Sequence, residues 1–265
     1  MYDIASRGRV PELGAGMRKL IDSGAPGFGG WCQIPSAFAA EVVSASGCDW
    51  MCIDQQHGLM DDEAMRLMVQ AAAIRRTPVV VRVPWNEPAP IMRALDAGAD
   101  GVIVPMVNSQ EEAVRAAGAT RFPPYGYRSY GALRSAMADA EFSPPTANSH
   151  AVCFVMVETM AGVDQVEEIV TVPGVDGILV GPNDLCISYS GNNLDAGTGP
   201  RDVAAIERIG RTCRMHGKAG MLSAVPVKEA KRWQEAGFML MGLSSDAGIL
   251  AEGVNRAVAE AHGAA

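Results

Sequence analysis

The chain has 265 residues, 48% of them hydrophobic and 20% charged, with a formal net charge of −8. That balance belongs to a packed globular protein and excludes a disordered one; the acidic charge, with lysines and arginines scattered along the chain, excludes a surface built for nucleic-acid phosphates. No apolar stretch reaches the ~20 residues a membrane helix needs, and residues 1–265 fit one α/β domain, able to bury roughly three-quarters of its unfolded surface without a disulfide or structural metal.

Residues Met1–Gly30 hold no basic segment followed by an apolar run, so no secretory signal is expected and the cytoplasm is the expected compartment. A helix is expected near Val10–Asp22, ahead of eight short apolar runs: Phe28–Ile34, Trp50–Asp54, Pro78–Val83, Gly101–Val107, Ala151–Glu158, Val175–Val180, Ala219–Ser223 and Phe238–Leu243. Nearly all are continuous rather than alternating, as parallel strands covered on both faces are. Helical patterns separate them. Asp61–Ile74 opens on two acids, Glu87–Ala97 carries Pro88 and Pro90 in its first turn with Gly98 at its end, and Ser109–Ala117 opens on a capping-box pattern. Val163–Val170, Arg201–Met215, Val227–Ala236 and Ala247–Ala261 follow, with Gly118, Gly217 and Gly237 punctuating helix ends. Phe122–His150, rich in proline and glycine, is the one long stretch expected to be irregular, and loops of that length tend to be lids or to be ordered by partners.

Eight strand–helix alternations predict an α/β fold, a closed (β/α)8 TIM barrel with an extra N-terminal helix; an open doubly wound sheet is the alternative. Gly98-Ala-Asp-Gly-Val-Ile-Val-Pro105 echoes Gly174-Val-Asp-Gly-Ile-Leu-Val-Gly181, as repetition of one βα unit would produce. The six cysteines form no CxxC pair and sit mostly in apolar runs, which predicts reduced core thiols rather than a zinc site.

Catalytic groups of such a barrel collect at the carboxyl ends of the strands. His150 and His216 precede strands and His262 lies in the C-terminal tail, so His57, three residues past Asp54, is the histidine of the working face. Glu158 closes the fifth strand, Asp184 follows the sixth, Asp54 closes the second and Asp246 follows the eighth. Asp184 and Asp246 could be helix caps; alternatively, Glu158 and Asp184 on neighbouring strands suit a hard divalent ion. Arg82 ends the third strand and requires an anion, either a structural carboxylate or an enolate or carboxylate oxygen of a substrate.

The segments Asp49-Trp-Met-Cys-Ile-Asp-Gln-Gln-His57, Val81-Arg-Val-Pro-Trp-Asn86, Met92-Arg-Ala-Leu-Asp-Ala-Gly98, Gly101-Val-Ile-Val-Pro-Met-Val107, Arg121-Phe-Pro-Pro-Tyr-Gly-Tyr-Arg-Ser-Tyr-Gly131, Val157-Glu-Thr159 and Asp176-Gly-Ile-Leu-Val-Gly-Pro-Asn-Asp-Leu185 resemble the HpcH/HpaI aldolases, of the phosphoenolpyruvate/pyruvate barrel superfamily, from about Gly29 to Leu250. The resemblance implies a metal-dependent lyase that reversibly cleaves 4-hydroxy-2-oxo acids to pyruvate, or a related 2-oxo acid such as hydroxypyruvate, and an aldehyde. It implies Glu158 and Asp184 as ligands of Mg2+, Mn2+ or Co2+, His57 as general base oriented or polarised by Asp54 and Asp96, and Arg82 as the cation on the enolate. It also implies backbone amides at Gly181-Pro182 as a carboxylate cradle. Arg128 is a candidate second cation, for a distal carboxylate or an adjacent subunit. A trimer or hexamer that exchanges the last helix, Ala247–Ala261, is the implied assembly. Two departures bear on the substrate: Gln56 stands where many members have an acid, and Met156 where glutamine is common. Citrate-lyase-like acyl-CoA cleavage, another phosphoenolpyruvate/pyruvate-superfamily reaction such as that of a mutase, and a catalytically silent metabolite-binding barrel are the alternatives, the first disfavoured by the lack of a basic patch for adenosine phosphates.

Overall fold

The computed structural model describes residues 15–131, 133–139, 141–192 and 194–263. Eight parallel strands close into a barrel in chain order: β1 (Gly27–Cys32), β2 (Trp50–Asp54), β3 (Val79–Arg82), β4 (Gly101–Val104), β5 (Val152–Val157), β6 (Gly177–Val180), β7 (Ala219–Leu222) and β8 (Phe238–Ser245). β8 pairs with β1, which excludes the open sheet. Every run expected to be a strand is one; half of the ends are trimmed by a residue or more, where the chain turns out toward the helices, while β1 starts one residue earlier than expected and β8 runs two residues further.

The continuous apolar runs resolve into two cores. Side chains along a strand alternate between faces, so Trp50, Cys52, Val80, Ile103, Phe154, Met156, Leu179, Met221 and Leu240 fill the barrel interior. Met51, Ile53, Val79, Val81, Val155, Val157, Ile178 and Val180 face the helices. The same period sets what comes next. Two residues beyond the interior Cys52, Val80, Met156 and Leu179 stand Asp54, Arg82, Glu158 and Gly181, so all four belong to the topmost interior layer.

Short polar side chains start the helices. Ser36, Asp61, Ser109, Ser143, Thr159 and Ser245 each accept a backbone N–H from the first turn. The helix expected near Val10–Asp22 is present over Gly16–Asp22, and its earlier part lies outside the described residues. Val163–Val170 is two short helices, Met160–Asp164 and Val166–Val170, broken at Gln165. Val227–Ala236 is a 3-10 turn at Val227–Glu229 continuing as the helix Ala230–Ala236.

Gly118 does not end a helix: it lies inside Gln110–Thr120, where a side chain would collide with the ring of Tyr127, and its carbonyl accepts the Tyr127 N–H. Glycine there lets the following loop fold back onto the helix. That loop is not irregular throughout, since Leu133–Ala138 and Pro144–His150 are helical. Pro144 and Pro145 are first-turn residues of the second helix, where a missing N–H costs nothing. Because Phe122–His150 joins the end of a helix to the start of β5, it lies at the amino-terminal end of the barrel, away from the strand termini expected to carry chemistry.

The repeated Gly-x-Asp-Gly units do one job. Gly98 and Gly174 adopt φ +92° and +91°. Asp100 then accepts the Val79 N–H at 2.8 Å, and Asp176 the Cys153 N–H at 2.8 Å, each at the start of a neighbouring strand. All six cysteines are free, five buried and Cys48 partly so. No helix among the described residues is long and apolar enough to cross a membrane.

Candidate active site

The topmost interior layer opens into a cleft of about 490 Å3 at the carboxyl ends of the strands. Trp31, His57, Arg82, Glu158, Gly181 and Asp184 line it, with Ser223, Ser244 and Ser245 on the far wall.

Arg82 lines the cleft and is held by Asp54, which is fully buried. β2 and β3 are in register there, Asp54 opposite Arg82. The guanidinium clamps the carboxylate, Nε donating to Oδ1 at 2.8 Å and Nη2 to Oδ2 at 2.6 Å. Trp31 and Gln33 donate to the same carboxylate at 3.1 Å each, and Arg82 also lies 5.0 Å from the Trp31 ring centroid. Burial alone would push the Asp54 carboxyl up, but the hydrogen bonds and charge of Arg82, with Gln33 and Trp31, outweigh it and hold the group at about 2. Asp54 is therefore an anion that fixes Arg82, and Arg82 is a permanent cation whose own pKa rises despite burial because Asp54 stands against it.

Asp54 also shapes the turn that follows. Its Oδ1 accepts the N–H of Gln56 at 3.1 Å and of His57 at 3.2 Å. Asp54 thus holds the His57 backbone, and no hydrogen bond from Asp54 to the His57 ring occurs among the described residues. The His57 ring is exposed at the cleft rim and makes no hydrogen bond among the described residues.

Glu158 follows β5, Asp184 lies in the first turn of the helix after β6, and both line the cleft. Glu158 is 1% exposed and its Oε1 accepts the Met106 N–H at 2.8 Å. Gly181 must be a glycine for this side chain to fit, because a Cβ there would stand 2.5 Å from Glu158 Oε2. Burial pushes the Glu158 carboxyl up; the Met106 N–H pulls it back, the charge of Asp184 raises it and that of Arg82 lowers it, leaving it at about 7. Asp184 is not a helix cap. Gly181 caps Pro182–Ser190 and Asp184 sits in the first turn, its carboxylate without a hydrogen bond among the described residues. Two carboxylates that repel each other, one of them buried, fit a divalent cation held between them. No group of three or more His, Cys, Asp or Glu that could hold an ion occurs among the described residues, so the protein would supply two ligands and leave the other positions to substrate and water, as hard oxygen-loving ions permit.

At the Gly181-Pro182 turn, Pro182 has no N–H, and the first-turn amides that the helix leaves unpaired are those of Asn183 and Asp184. Asp246 is not a cap either; Ser245 fills that role, and Asp246 accepts the Gln33 and Ile34 N–H groups, tying β8 to the loop after β1.

Within one chain, Asp96 and Arg128 do not reach the cleft. Asp96 ends the helix Pro88–Asp96, whose carboxyl end points to the opposite end of the barrel, and there it accepts a hydrogen bond from the buried Arg128 at 2.7 Å. Neither Asp96 against His57 nor Arg128 against a distal carboxylate is found inside one copy. Trp31, Gln33 and Met106 are site residues that the sequence reading passed over. Trp31 and Gln33 follow the rule of alternate residues at a strand end, whereas Met106 acts through its backbone and leaves no side-chain signal.

The family model HpcH/HpaI aldolase/citrate lyase matches residues 28–252. The 5-keto-4-deoxy-D-glucarate aldolase of Enterobacter sp. strain 638 is 34% identical over 226 residues, 84% of this chain and 87% of that one. The 4-hydroxy-2-oxo-heptane-1,7-dioate aldolase of Escherichia coli is 32% identical over 239 residues, 88% of this chain and 90% of the other. A crystal structure of an HpcH/HpaI aldolase/citrate lyase family protein from Burkholderia cenocepacia J2315 superposes with a TM-score of 0.85 at 33% identity, covering 92% of this chain and 98% of that one.

Proposed function

The chain belongs to the HpcH/HpaI aldolase/citrate lyase family, and from that premise we propose that it is a metal-dependent aldolase that reversibly cleaves 4-hydroxy-2-oxo acids to pyruvate, or a related 2-oxo acid such as hydroxypyruvate, and an aldehyde. The observation that carries this reading is the pairing of two carboxylates, Glu158 and Asp184, with the Asp54-clamped Arg82 in one cleft.

A divalent ion held by Glu158 and Asp184 (Mg2+, Mn2+ or Co2+) would supply Lewis acidity at the keto oxygen of the 2-oxo acid. The protein's own groups do the rest. Arg82, fixed by Asp54 before substrate arrives, offers a preorganised positive charge to the enolate oxygen, so little reorganisation is needed as charge develops. The Asn183 and Asp184 amides at the helix start favour the carboxylate of the 2-oxo acid. His57, exposed and free at its ring, accepts the proton of the aldol hydroxyl as the carbon–carbon bond breaks and returns it in the synthetic direction. No lysine lines the cleft among the described residues, and none is required, because the enolate is stabilised by charge rather than through a Schiff base.

We also propose a homo-oligomer, a trimer or hexamer. The helix Asp246–Ala261 buries no residue within the chain, and its Leu250, Val254 and Val258 stand at least half exposed on one stripe, which supports a second copy packing there. Any part of Asp96 or Arg128 in catalysis requires such a neighbour. Sedimentation velocity reads the assembly, and a monomer at micromolar concentration would remove it.

The reaction is tested with EDTA-treated enzyme and racemic 4-hydroxy-2-oxo acids, following pyruvate through lactate dehydrogenase before and after Mg2+, Mn2+ or Co2+ is added. Metal-restored release is the expected outcome. No release from substrates yielding either pyruvate or hydroxypyruvate, with any of the three ions, would overturn the reading.

A further inference from the structure

We infer that Asn108 is a positioning residue for Glu158: its one amide group locks both the backbone that donates to this carboxylate and the residue that follows it. The inference rests on the reading of Glu158 as a metal ligand.

Glu158 has a single hydrogen-bond donor among the described residues, the Met106 N–H. That N–H points at the carboxylate because Met106 adopts a left-handed backbone, φ +55°. Methionine resists this conformation, which costs a residue with a Cβ on the order of 1–2 kcal/mol, so it persists only where its surroundings over-determine it. Two bonds do so. The Asn108 Nδ2 donates to the Met106 carbonyl at 3.0 Å, and the Val107 N–H donates to the Met156 carbonyl at 3.0 Å. The second bond fastens the segment to β5, the strand that carries Glu158.

The other end of the same amide reaches the other side of the carboxylate. Thr159, next after Glu158, donates its hydroxyl to Asn108 Oδ1 and accepts the Gly162 N–H at 3.1 Å. The Met106 carbonyl can only accept, so the amide nitrogen of Asn108 faces it and the oxygen faces Thr159. The Asn108 backbone is held in turn, its N–H donating to Glu112 Oε2 at 2.6 Å in the helix Gln110–Thr120. Asn108 therefore spans from the donor of Glu158 to its chain neighbour, with donor and acceptor both used. Aspartate offers no N–H for the Met106 carbonyl, and alanine offers neither partner.

Groups that orient metal ligands typically cost about 10–100-fold in affinity when removed. Mn2+ binding by calorimetry and by electron paramagnetic resonance, on the intact enzyme, reads this directly. Asn108→Ala and Asn108→Asp should weaken Mn2+ by about 10–100-fold. In both, the metal concentration for half-maximal turnover should rise while turnover at saturating metal changes much less. A residue that merely supports the fold would instead lower melting temperature and turnover together. Met106→Gly in the Asn108→Ala background supplies the second test, since glycine keeps the N–H and adopts the left-handed backbone freely: it should recover part of the lost Mn2+ affinity, and no recovery would overturn the claim that Asn108 acts through the Met106 backbone. Wild-type Mn2+ affinity in both Asn108 variants would overturn the inference and leave the metal reading standing. Failure of the wild-type enzyme to bind any divalent ion would overturn both.

Discussion

The two ends of the barrel use acidic residues in opposite ways. At the amino-terminal end they are saturated. Asp100 accepts the N–H groups of Gly16, Met17 and Val79, and Asp176 accepts the Cys153 N–H while pairing with Arg18 at 2.6 Å and Arg121 at 3.0 Å. Asp49 takes the Phe28 N–H in the same fashion. These carboxylates fasten the starts of the strands and close the barrel. At the carboxyl-terminal end, Glu158 has one donor and Asp184 none among the described residues. Asp54 and Asp246 are satisfied there, the first holding the cation of the cleft and the second tying β8 to the loop after β1. Satisfying a buried carboxylate contributes stability, and leaving one short of partners costs it. The amino-terminal end thus carries stability, and the carboxyl-terminal end keeps binding capacity at stability's expense.

Glu158→Gln should break the contrast most sharply. Removal of a ligand to the Lewis acid should lower retro-aldol turnover by about 10⁴-fold, several kcal/mol of transition-state stabilisation. The metal-free protein should gain stability. A carboxyl raised from 4.5 to about 7 in the folded state makes that state bind its proton more tightly, so stability falls as pH climbs through that window and stays low above it. At pH 8 the metal-free variant should therefore unfold later than the wild type, by about 2–3 kcal/mol in urea titrations. Earlier unfolding would contradict the account of Glu158 as an under-satisfied group.

His57→Ala should reduce turnover by roughly 10²–10⁴-fold with an unchanged melting temperature, because the ring is exposed and unbonded; unchanged turnover would remove it from proton transfer.

Asp54→Asn strands the buried Arg82 charge, and breaking such a pair from one side costs about 3–5 kcal/mol. The pH dependence has the opposite sign to that of Glu158. A carboxyl lowered from 3.8 to about 2 stabilises the fold above pH 4, and that contribution fades as pH falls through about 2. The deficit of the variant, measured by chemical denaturation, should be full at pH 6 and shrink by about 2 kcal/mol toward pH 2.

The smallest effect is expected at the saturated end. Asp176→Asn should cost about 1–3 kcal/mol of stability, through two arginines losing a shared partner, and leave kcat/KM unchanged. A loss of activity without loss of stability would mean that the division between the two ends is less clean than the hydrogen bonding implies.

Much of the frame is legible in the residues themselves. Continuous β-rich runs mark the strands, and Gly98 and Gly174 mark the turns that lead into two of them. Local chemistry also hid elements: Pro144-Pro145 and Gly181-Pro182 look like loop punctuation, yet each starts a helix, because proline fits a first turn as well as a bend. Of the site, Asp54, His57, Arg82, Glu158 and Asp184 follow from position at strand ends together with the family resemblance, and the structure brings all five to one end of the barrel. Asp96 and Arg128 match the family's motifs as well as those five do, yet sit at the far end. A motif gives residue type and order, not the end of the barrel to which a helix terminus is carried.

What the sequence determines by itself is therefore whatever depends on near neighbours: the eight strands, most of the helix starts, and the alternation that sends Asp54, Arg82 and Glu158 to the interior face two residues beyond a buried apolar side chain. Only the closed barrel decides that Arg82 meets Asp54, that Glu158 shares a cleft with Asp184, and that the Met106 backbone twists left-handed to serve Glu158. Those pairings join residues 28, 26 and 52 positions apart. The pitch of a strand is set by its own covalent geometry, whereas partnership across strands is set by register around a closed ring, which no segment can specify alone.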